Sequence, residues 1–448
     1  MATRDRTILH SDMNSFYASV EAMLNPSLRD KPVAVCGSTE DRHGIVLAKS
    51  EQAKKVGIKT GMATWEARRL CPGLIIVPPQ YEQYLKYSRL AREIYGRFTD
   101  QVEPFGMDEC WLDVTGSRSI FGDGERIAGR IRRMVKAELG LTVSIGVSFN
   151  KIFAKLGSDM KKPDAVTILG RDDFRERVWP LPAGELLYVG RATERKLAGY
   201  GIRTIGGIAQ AKPEFLRRLL GKNGLMLWAF ANGEDRSRVM HRDFVSPVKS
   251  VGHGTTCTAD LASSEEVGKV MLYLAQDVGH RLRVHSLAAR GVQITVKDGD
   301  LFWRQYQAPL PLASQSPGEI AALAFRLFEE NYHWEKSVRA VTVRAINLAP
   351  ENAPEQLDLF CDFEARERRR KADDAVEEIR RRFGEWAVYP AALLGDLKLP
   401  ATSLKDVVMP GVCTNSRYGE KTAGRIGNPY KVSRVDCRAV SKYNVITK

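Results

Sequence analysis

Glu103-Pro-Phe-Gly-Met-Asp-Glu-Cys-Trp-Leu-Asp-Val-Thr-Gly116 sets two carboxylates, Asp108 and Glu109, side by side between two short apolar runs. Val102 and Phe105 lead in, a turn containing Gly106 carries the acids, and Trp111, Leu112 and Val114 lead out. That composition predicts a hairpin. Adjacent carboxylates at a tight turn repel each other unless a cation lies between them, and a divalent metal suits such a pair. A lone Asp-Glu is more often just a polar turn. A second stretch shifts the balance: Ile8, Leu9, His10, Ser11 and Asp12 read as a short strand that ends on an acid, followed by Met13-Asn-Ser-Phe-Tyr-Ala-Ser-Val-Glu21. If Asp12 faces the hairpin, a third carboxylate completes the hard-oxygen set that Mg²⁺ needs when substrate phosphates supply its other ligands.

The chain has 448 residues, enough for several domains that each bury a core. Lysine plus arginine exceed aspartate plus glutamate by 68 − 54 = 14, and the sequence pI is about 9.4. This surplus favours a polyanionic partner, nucleic acid ahead of an acidic membrane. The seven cysteines, Cys36, Cys71, Cys110, Cys257, Cys361, Cys413 and Cys437, are scattered without a Cys-x-x-Cys pair. Neither a disulfide framework nor a zinc site is expected, and a reducing cytoplasm fits best. Arg4, Asp5 and Arg6 precede a short strand rather than a signal-peptide core. No apolar run reaches the roughly 20 residues that span a bilayer.

Asp12-Met-Asn-Ser-Phe-Tyr-Ala-Ser-Val-Glu21, Met107-Asp-Glu-Cys-Trp-Leu-Asp113 and Ser144-Ile-Gly-Val-Ser-Phe-Asn-Lys-Ile-Phe-Ala-Lys-Leu-Gly-Ser-Asp-Met-Lys-Lys-Pro163 together resemble the palm motifs of the Y-family translesion DNA polymerases, most closely those of the bacterial DinB type. The likeness runs from about Ile8 to about Phe360. It implies an α+β multidomain right hand: a palm at 1–24 and 83–172, fingers at 25–82, a helix-hairpin-helix thumb at 173–232, a linker at 233–247 and an α+β little finger at 248–350. A clamp-binding segment at 351–362, a charged helix at 363–390 and a tail at 391–448 to which no role is assigned complete the division.

The residues read as local structure in the same order. Pro32–Gly37 and Gly44–Ala48 look like strands, Glu51–Val56 and Thr64–Leu70 like short helices, and a helix over about 80–99 returns to the palm. Leu141–Ser148 alternates as a strand and Asn150–Met160 follows as a helix, stopped by Pro163. Two short helices join at Gly199-Tyr-Gly201, with Val189-Gly190-Arg191 as a backbone-amide cradle for a phosphate and Gly221-Lys-Asn-Gly224 as a possible repeat of it. Beyond the linker come a helix over 264–287, strands at 291–296 and 301–307, a helix over 318–332 and a strand at 337–348. Arg366–Phe383 reads as a charged helix pairing Glu364 with Arg368 and Glu377 with Arg381.

The resemblance also implies roles. Asp12, Asp108, Glu109 and the Met13 carbonyl would hold two Mg²⁺ ions for phosphoryl transfer. Tyr17, otherwise an ordinary helix aromatic, would be the steric gate against a ribose 2′-hydroxyl, making deoxynucleoside triphosphates the substrate. Lys162 would contact the triphosphate, although a Lys-Lys pair at a helix end is also what the macrodipole favours. The fingers depart from the family pattern: Glu51 falls where many relatives carry a tyrosine and Lys54 where they carry an arginine, so Lys49, Lys54 and Lys55 all remain candidates for the phosphates. Ile45 and Leu47 are bulkier than the residues some relatives place at the pocket roof.

Gly190, Arg191, Arg290, Arg304, Arg339 and Arg344 would be DNA contacts on primer-template DNA, with Lys297 beside them. Gln356, Leu357, Leu359 and Phe360 resemble the peptide that docks bacterial polymerases on the sliding clamp. The implied protein is a monomeric, cytoplasmic, low-fidelity translesion DNA polymerase without a proofreading domain. Two alternatives use the same residues differently: a nucleotide cyclase, which leaves the thumb and clamp motifs without purpose, and a catalytically silent scaffold, which leaves the three acids without purpose.

Overall fold

The computed structural model describes residues 5–354, 362–385 and 387–400. Its first unit is a five-stranded sheet in the order Val102–Pro104, Glu109–Asp113, Ile8–Met13, Val143–Ser148, Val166–Leu169. Ile8–Met13 is fully buried and lies at the centre, antiparallel to both neighbours, with Asp12 opposite Glu109 on one side and Ser144 on the other. Side chains alternate across a strand, so Leu9, Ser11 and Met13 face one layer while Ile8, His10 and Asp12 face the other.

On the first face, helices Tyr81–Tyr95 and Gly124–Leu139 cover the sheet through Tyr84, Ala91, Ile94, Ile127, Ile131 and Val135. The second of these has its apolar residues at the three- and four-residue spacing of an amphipathic helix. It starts on Asp123, whose carboxylate caps Arg126 N–H, and ends on Gly140 at φ 66°, the left-handed position that suits glycine. On the second face, Lys151–Met160 crosses the sheet close enough that a Cβ on Gly146 would stand 1.9 Å from the Ala154 carbonyl oxygen. Asn150 caps this helix by accepting from Phe153 N–H. Trp111 is buried against it and donates its indole N–H to the Lys151 carbonyl at 3.0 Å.

Residues 33–77 form a small sheet of Val46–Lys49, Val33–Cys36 and Ile75–Val77, with helices Glu51–Lys55 and Thr64–Leu70. The third strand, parallel to Val33–Cys36, was not anticipated, since Ile75-Ile-Val77 is too short to show a period. Residues 174–231 are helical. Gly199-Tyr-Gly201 turns Arg191–Ala198 into the following loop and helix Ile205–Gln210, as expected. The expected second cradle is corrected: Gly221 does turn at φ 66°, but Gly224 lies inside helix Lys222–Ala231, where a Cβ would meet the Leu216 carbonyl oxygen at 2.1 Å. This glycine permits helix packing, not phosphate approach.

The last large unit is an antiparallel sheet ordered Trp303–Ser314, Leu287–Asp298, Val338–Pro350, Val251–Leu261. Helices Ser264–Val284 and Pro317–Asn331 cover one face only. The strand Val251–Leu261 was missed in the sequence, because its glycines and threonines bury little and alternate weakly. Helix Phe363–Phe383 buries no residue of its own but docks on this unit through Glu377 to His280, Arg369 to Glu319 and Arg380 to Gln276. The expected Glu364 to Arg368 pair forms at 3.6 Å, whereas Arg381 pairs with Glu378 because Glu377 is taken by His280.

Between the helical unit and this sheet, 233–247 has no regular structure yet is pinned to the first sheet. Val239 is buried beside Ile8 and Trp111, Met240 N–H donates to Glu103, and Arg242 N–H to the Asp100 carbonyl. Cys36, Cys71, Cys110 and Cys257 are free and buried. No helix among the described residues is long and apolar enough to cross a membrane.

Candidate active site

Asp12 and Glu109 meet because the same strand pairing that puts them in register also points both to the face crossed by Lys151–Met160. Met13 N–H donates to the Asp108 carbonyl at 3.0 Å, which closes the hairpin turn onto the end of the central strand. Asp12, Met13, Asp108 and Glu109 therefore share one end of the sheet.

Two lysines stand among these acids. Lys162 Nζ lies 2.9 Å from Asp12 and 2.8 Å from Asp159. Lys155 Nζ lies 2.8 Å from Glu109, 3.5 Å from Asp12 and 3.2 Å from Asp159. Below them the buried His10 has Nδ1 2.9 Å from Ser158 Oγ, while its Nε2 lies 3.5 Å from Glu109 without a hydrogen bond. Asn14 fixes the approach of Lys162: its amide donates to Ser144 Oγ and its carbonyl oxygen accepts from Asp164 N–H, tying the loop after the helix to the strand end.

The electrostatics separate the three carboxylates. Burial raises Asp12 to about 7 even though Lys162 and Lys155 pull it down. Asp108 is also pushed up, by burial and then by the charge of Glu109. Burial works on Glu109 in the same direction, but the neighbouring His10 imidazole and the charge of Lys155 overcome it and hold the group at about 2. Burial drives His10 down to about 4, so near neutrality it is uncharged. Two of the three acids thus lack sufficient compensating positive charge. Among the described residues no three His, Cys, Asp or Glu side chains converge as a ready-made metal cage; Asp12 and Glu109 are instead drawn onto Lys155.

Tyr17 lies over Tyr84 with the rings stacked at 4.1 Å and 8°, and its hydroxyl reaches Met107 Sδ at 3.4 Å. Tyr84 is held in turn by Glu21, which it meets at 2.5 Å. Burial, the neighbouring Tyr81 and the Asp108 charge raise the Tyr17 phenol to about 12. Glu51 accepts from Ser15 Oγ at 2.8 Å and lies 3.9 Å from the exposed Lys54. Lys49 bonds Thr60. Neither Lys49 nor Lys54 is paired with Asp12, Asp108 or Glu109.

The impB/mucB/samB family profile matches residues 11–159, and the profile of that family's C-terminal domain matches 248–359. A protein of Acetivibrio thermocellus named DNA polymerase IV is 50% identical over 87% of this chain and 98% of its own length. The chain belongs to this family, the Y-family DNA polymerases. Y-family relatives named DNA polymerase IV in Moorella thermoacetica and DNA polymerase IV 1 in Bacillus subtilis are each 38% identical, covering 98% and 94% of those proteins and 88% of this one. A solved Y-family DNA polymerase chimera of Dbh and Dpo4 has the same fold, with a TM-score of 0.67 and 22% identity over 76% of this chain and 98% of the chimera. The Y-family right hand is thus the architecture of this protein.

Other expected Y-family site residues scatter. Gly190 caps helix Arg191–Ala198 and is open, with nothing within 4 Å of a built Cβ, and Arg191 is exposed beside it. Arg290 and Arg344 are exposed. Arg344 pairs in register with Gln293 and reaches its amide oxygen at 3.4 Å, on the sheet face opposite the helices. Arg304 is on the other face: it sits opposite the core residue Val296, over Tyr332 and 3.8 Å from Glu335. Arg339 lies at a register shift next to Asp260. Gln356, Leu357, Leu359 and Phe360 lie outside the described residues. Lys155, His10 and Asp159 were missed. Their signal is a lysine four residues before an acid on a helix whose flanking positions are apolar, since a lysine carried to a packed face needs carboxylate partners.

Proposed function

We propose that this chain, a DNA-directed DNA polymerase by family, performs low-fidelity translesion synthesis by two-metal phosphoryl transfer on primer-template DNA, with deoxynucleoside triphosphates as substrates. The observation that carries the reading is the register of Asp12 with Glu109 beside Lys155 and Lys162, with the Asp108 backbone tied to the same sheet end through Met13 N–H. On this reading 1–24 and 83–172 act as palm, 25–82 as fingers, 173–232 as thumb and 248–350 as little finger.

The residues fit Mg²⁺. All the donors are hard oxygens, and Asp12 and Asp108 are raised by burial that their neighbours do not offset, which is the charge deficit that a divalent cation fills. Asp12, Asp108, Glu109 and the Met13 carbonyl would hold the metals, which when bound lower the pKa of the primer hydroxyl and neutralise the phosphates. The protein's own groups position and screen. Lys162, on the loop tied down by Asn14, carries a cation to the leaving pyrophosphate. Tyr17, braced by Tyr84, presents a ring edge that a 2′-hydroxyl would strike. Glu51 accepts a hydrogen bond from Ser15 and has Lys54 3.9 Å away as a counter-charge, which lessens its repulsion of a triphosphate. Docking on a sliding clamp through Gln356-Leu-Asp-Leu-Phe360, a monomeric state and a cytoplasmic location belong to the same proposal.

Primer extension on an undamaged and on a lesion-bearing template tests it. The native chain should extend both with deoxynucleotides, Asp108→Ala neither, and Tyr17→Ala should admit ribonucleotides by roughly 10- to 200-fold more, the range that steric pocket differences command. DNA binding without extension by the native chain would overturn the enzyme reading in favour of a scaffold.

A further inference from the structure

The four-stranded sheet has one face covered by helices and one open. Register assigns Lys297, Thr295 and Gln293 to the open face, opposite Trp303, Gln305 and Gln307 on the edge strand. The next strand adds Thr342 and Arg344, and beyond them Gly252 and Gly254 leave the surface flat. The face is therefore polar and amide-rich, it is basic, and it carries one large ring. Trp303 is 59% exposed, with Lys297 Nζ 4.9 Å from its ring centroid.

Its position is as telling as its exposure. The hairpin tip next to Trp303 is tied by Gly299 N–H to the Ser337 carbonyl, Ser337 Oγ donates to Asp260, and Asp260 pairs with Arg42 of the 33–77 unit. Trp303 thus marks the end of the open face that abuts the fingers. An exposed indole flanked by a cation offers a free π-face to a nucleic-acid base. A base inside a duplex is already stacked on both sides, so an indole gains most from an unpaired one.

We propose that Trp303 and Lys297 form a stacking site for an unpaired base of single-stranded DNA, the template strand ahead of the primer terminus. The indole takes the base face and Lys297 the adjoining phosphate, without reading sequence. This deepens the polymerase reading and rests on it for the identity of the strand.

The test is direct binding of the full chain to two labelled DNAs that share one duplex, one blunt and one with a 5′ overhang of about ten nucleotides, within the range of single-strand site sizes. Trp303→Ala should lose roughly 5- to 100-fold affinity for the overhang DNA and almost none for the blunt one, the scale of one lost base stack. Trp303→Phe should restore most of it. Lys297→Met should flatten the salt dependence on the overhang by roughly 0.7 in slope. Equal losses on both DNAs, or no loss on the overhang, would overturn the proposal. Primer extension by the native chain separates the two readings: its failure sinks the polymerase assignment, whereas native extension with an indifferent Trp303→Ala sinks only the stacking site.

Discussion

Lys155 is the residue whose removal should report most directly on the acid cluster. Its ammonium is shared by Glu109, Asp12 and Asp159, and those contacts raise it well above an ordinary lysine despite its burial. Breaking a buried pair by deleting one partner leaves the other charge uncompensated. Lys155→Met should therefore lower stability in metal-free buffer by about 1–3 kcal/mol, less than a fully buried pair because Lys162 remains beside Asp12 and Asp159. Millimolar Mg²⁺ should recover part of the loss, because the acids then regain a counter-cation. Thermal melts with EDTA and with Mg²⁺ measure both; equal melting shifts in the two buffers would show that Lys155 does not neutralise the site.

Elements carry the next two expectations. Gly146 lets helix Lys151–Met160 lie against the strand, so Gly146→Ala must move that helix and with it Lys155. Overpacking of this kind costs typically about 1–3 kcal/mol, and here it should also depress primer extension, which chemical denaturation and a rate assay can compare. The docked helix Phe363–Phe383 should answer to pH. Glu377 raises His280 above its usual 6.5, so that contribution is present below 6.5 and fades as pH rises through the folded value. His280 in turn lowers Glu377 below its usual 4.5, so that contribution is present above 4.5 and fades as pH falls. Docking should be firmest between the two. Hydrogen exchange of 363–383 should show protection in that window that His280→Gln abolishes.

At the scale of the molecule, the chain carries a surplus of 68 − 54 = 14 positive charges, and the proposed reading sets the exposed Arg191 beside Gly190 and Arg344 on the open sheet face against duplex phosphates. Each phosphate that these neutralise should add roughly 0.9 to the slope of log affinity against log salt. Arg344→Ala should reduce that slope by about one contact. Arg304→Ala should leave it unchanged, since Arg304 faces Tyr332 and Glu335. Titrations of duplex DNA binding at several salt concentrations distinguish the two arginines.

The acids themselves were legible in the chain, because a carboxylate pair in a hairpin and a third at a strand end are local patterns, and the helix after Asn150 announces itself by its cap and by Pro163. Most of the strands and helices were legible for the same reason, since period and turn chemistry act over a few residues. The missed strands, Ile75–Val77 and Val251–Leu261, are short or glycine- and threonine-rich, and only their sheet partners make them strands. Tertiary structure alone decided that Lys155 and His10 join the acids, that Glu377 prefers His280 to Arg381, that Gly224 packs a helix, and that Arg304 and Arg344 point to opposite faces. Apart from the local packing at Gly224, these outcomes depend on register or on helix approach across tens to hundreds of residues, where a shift of one position reverses the face a side chain meets.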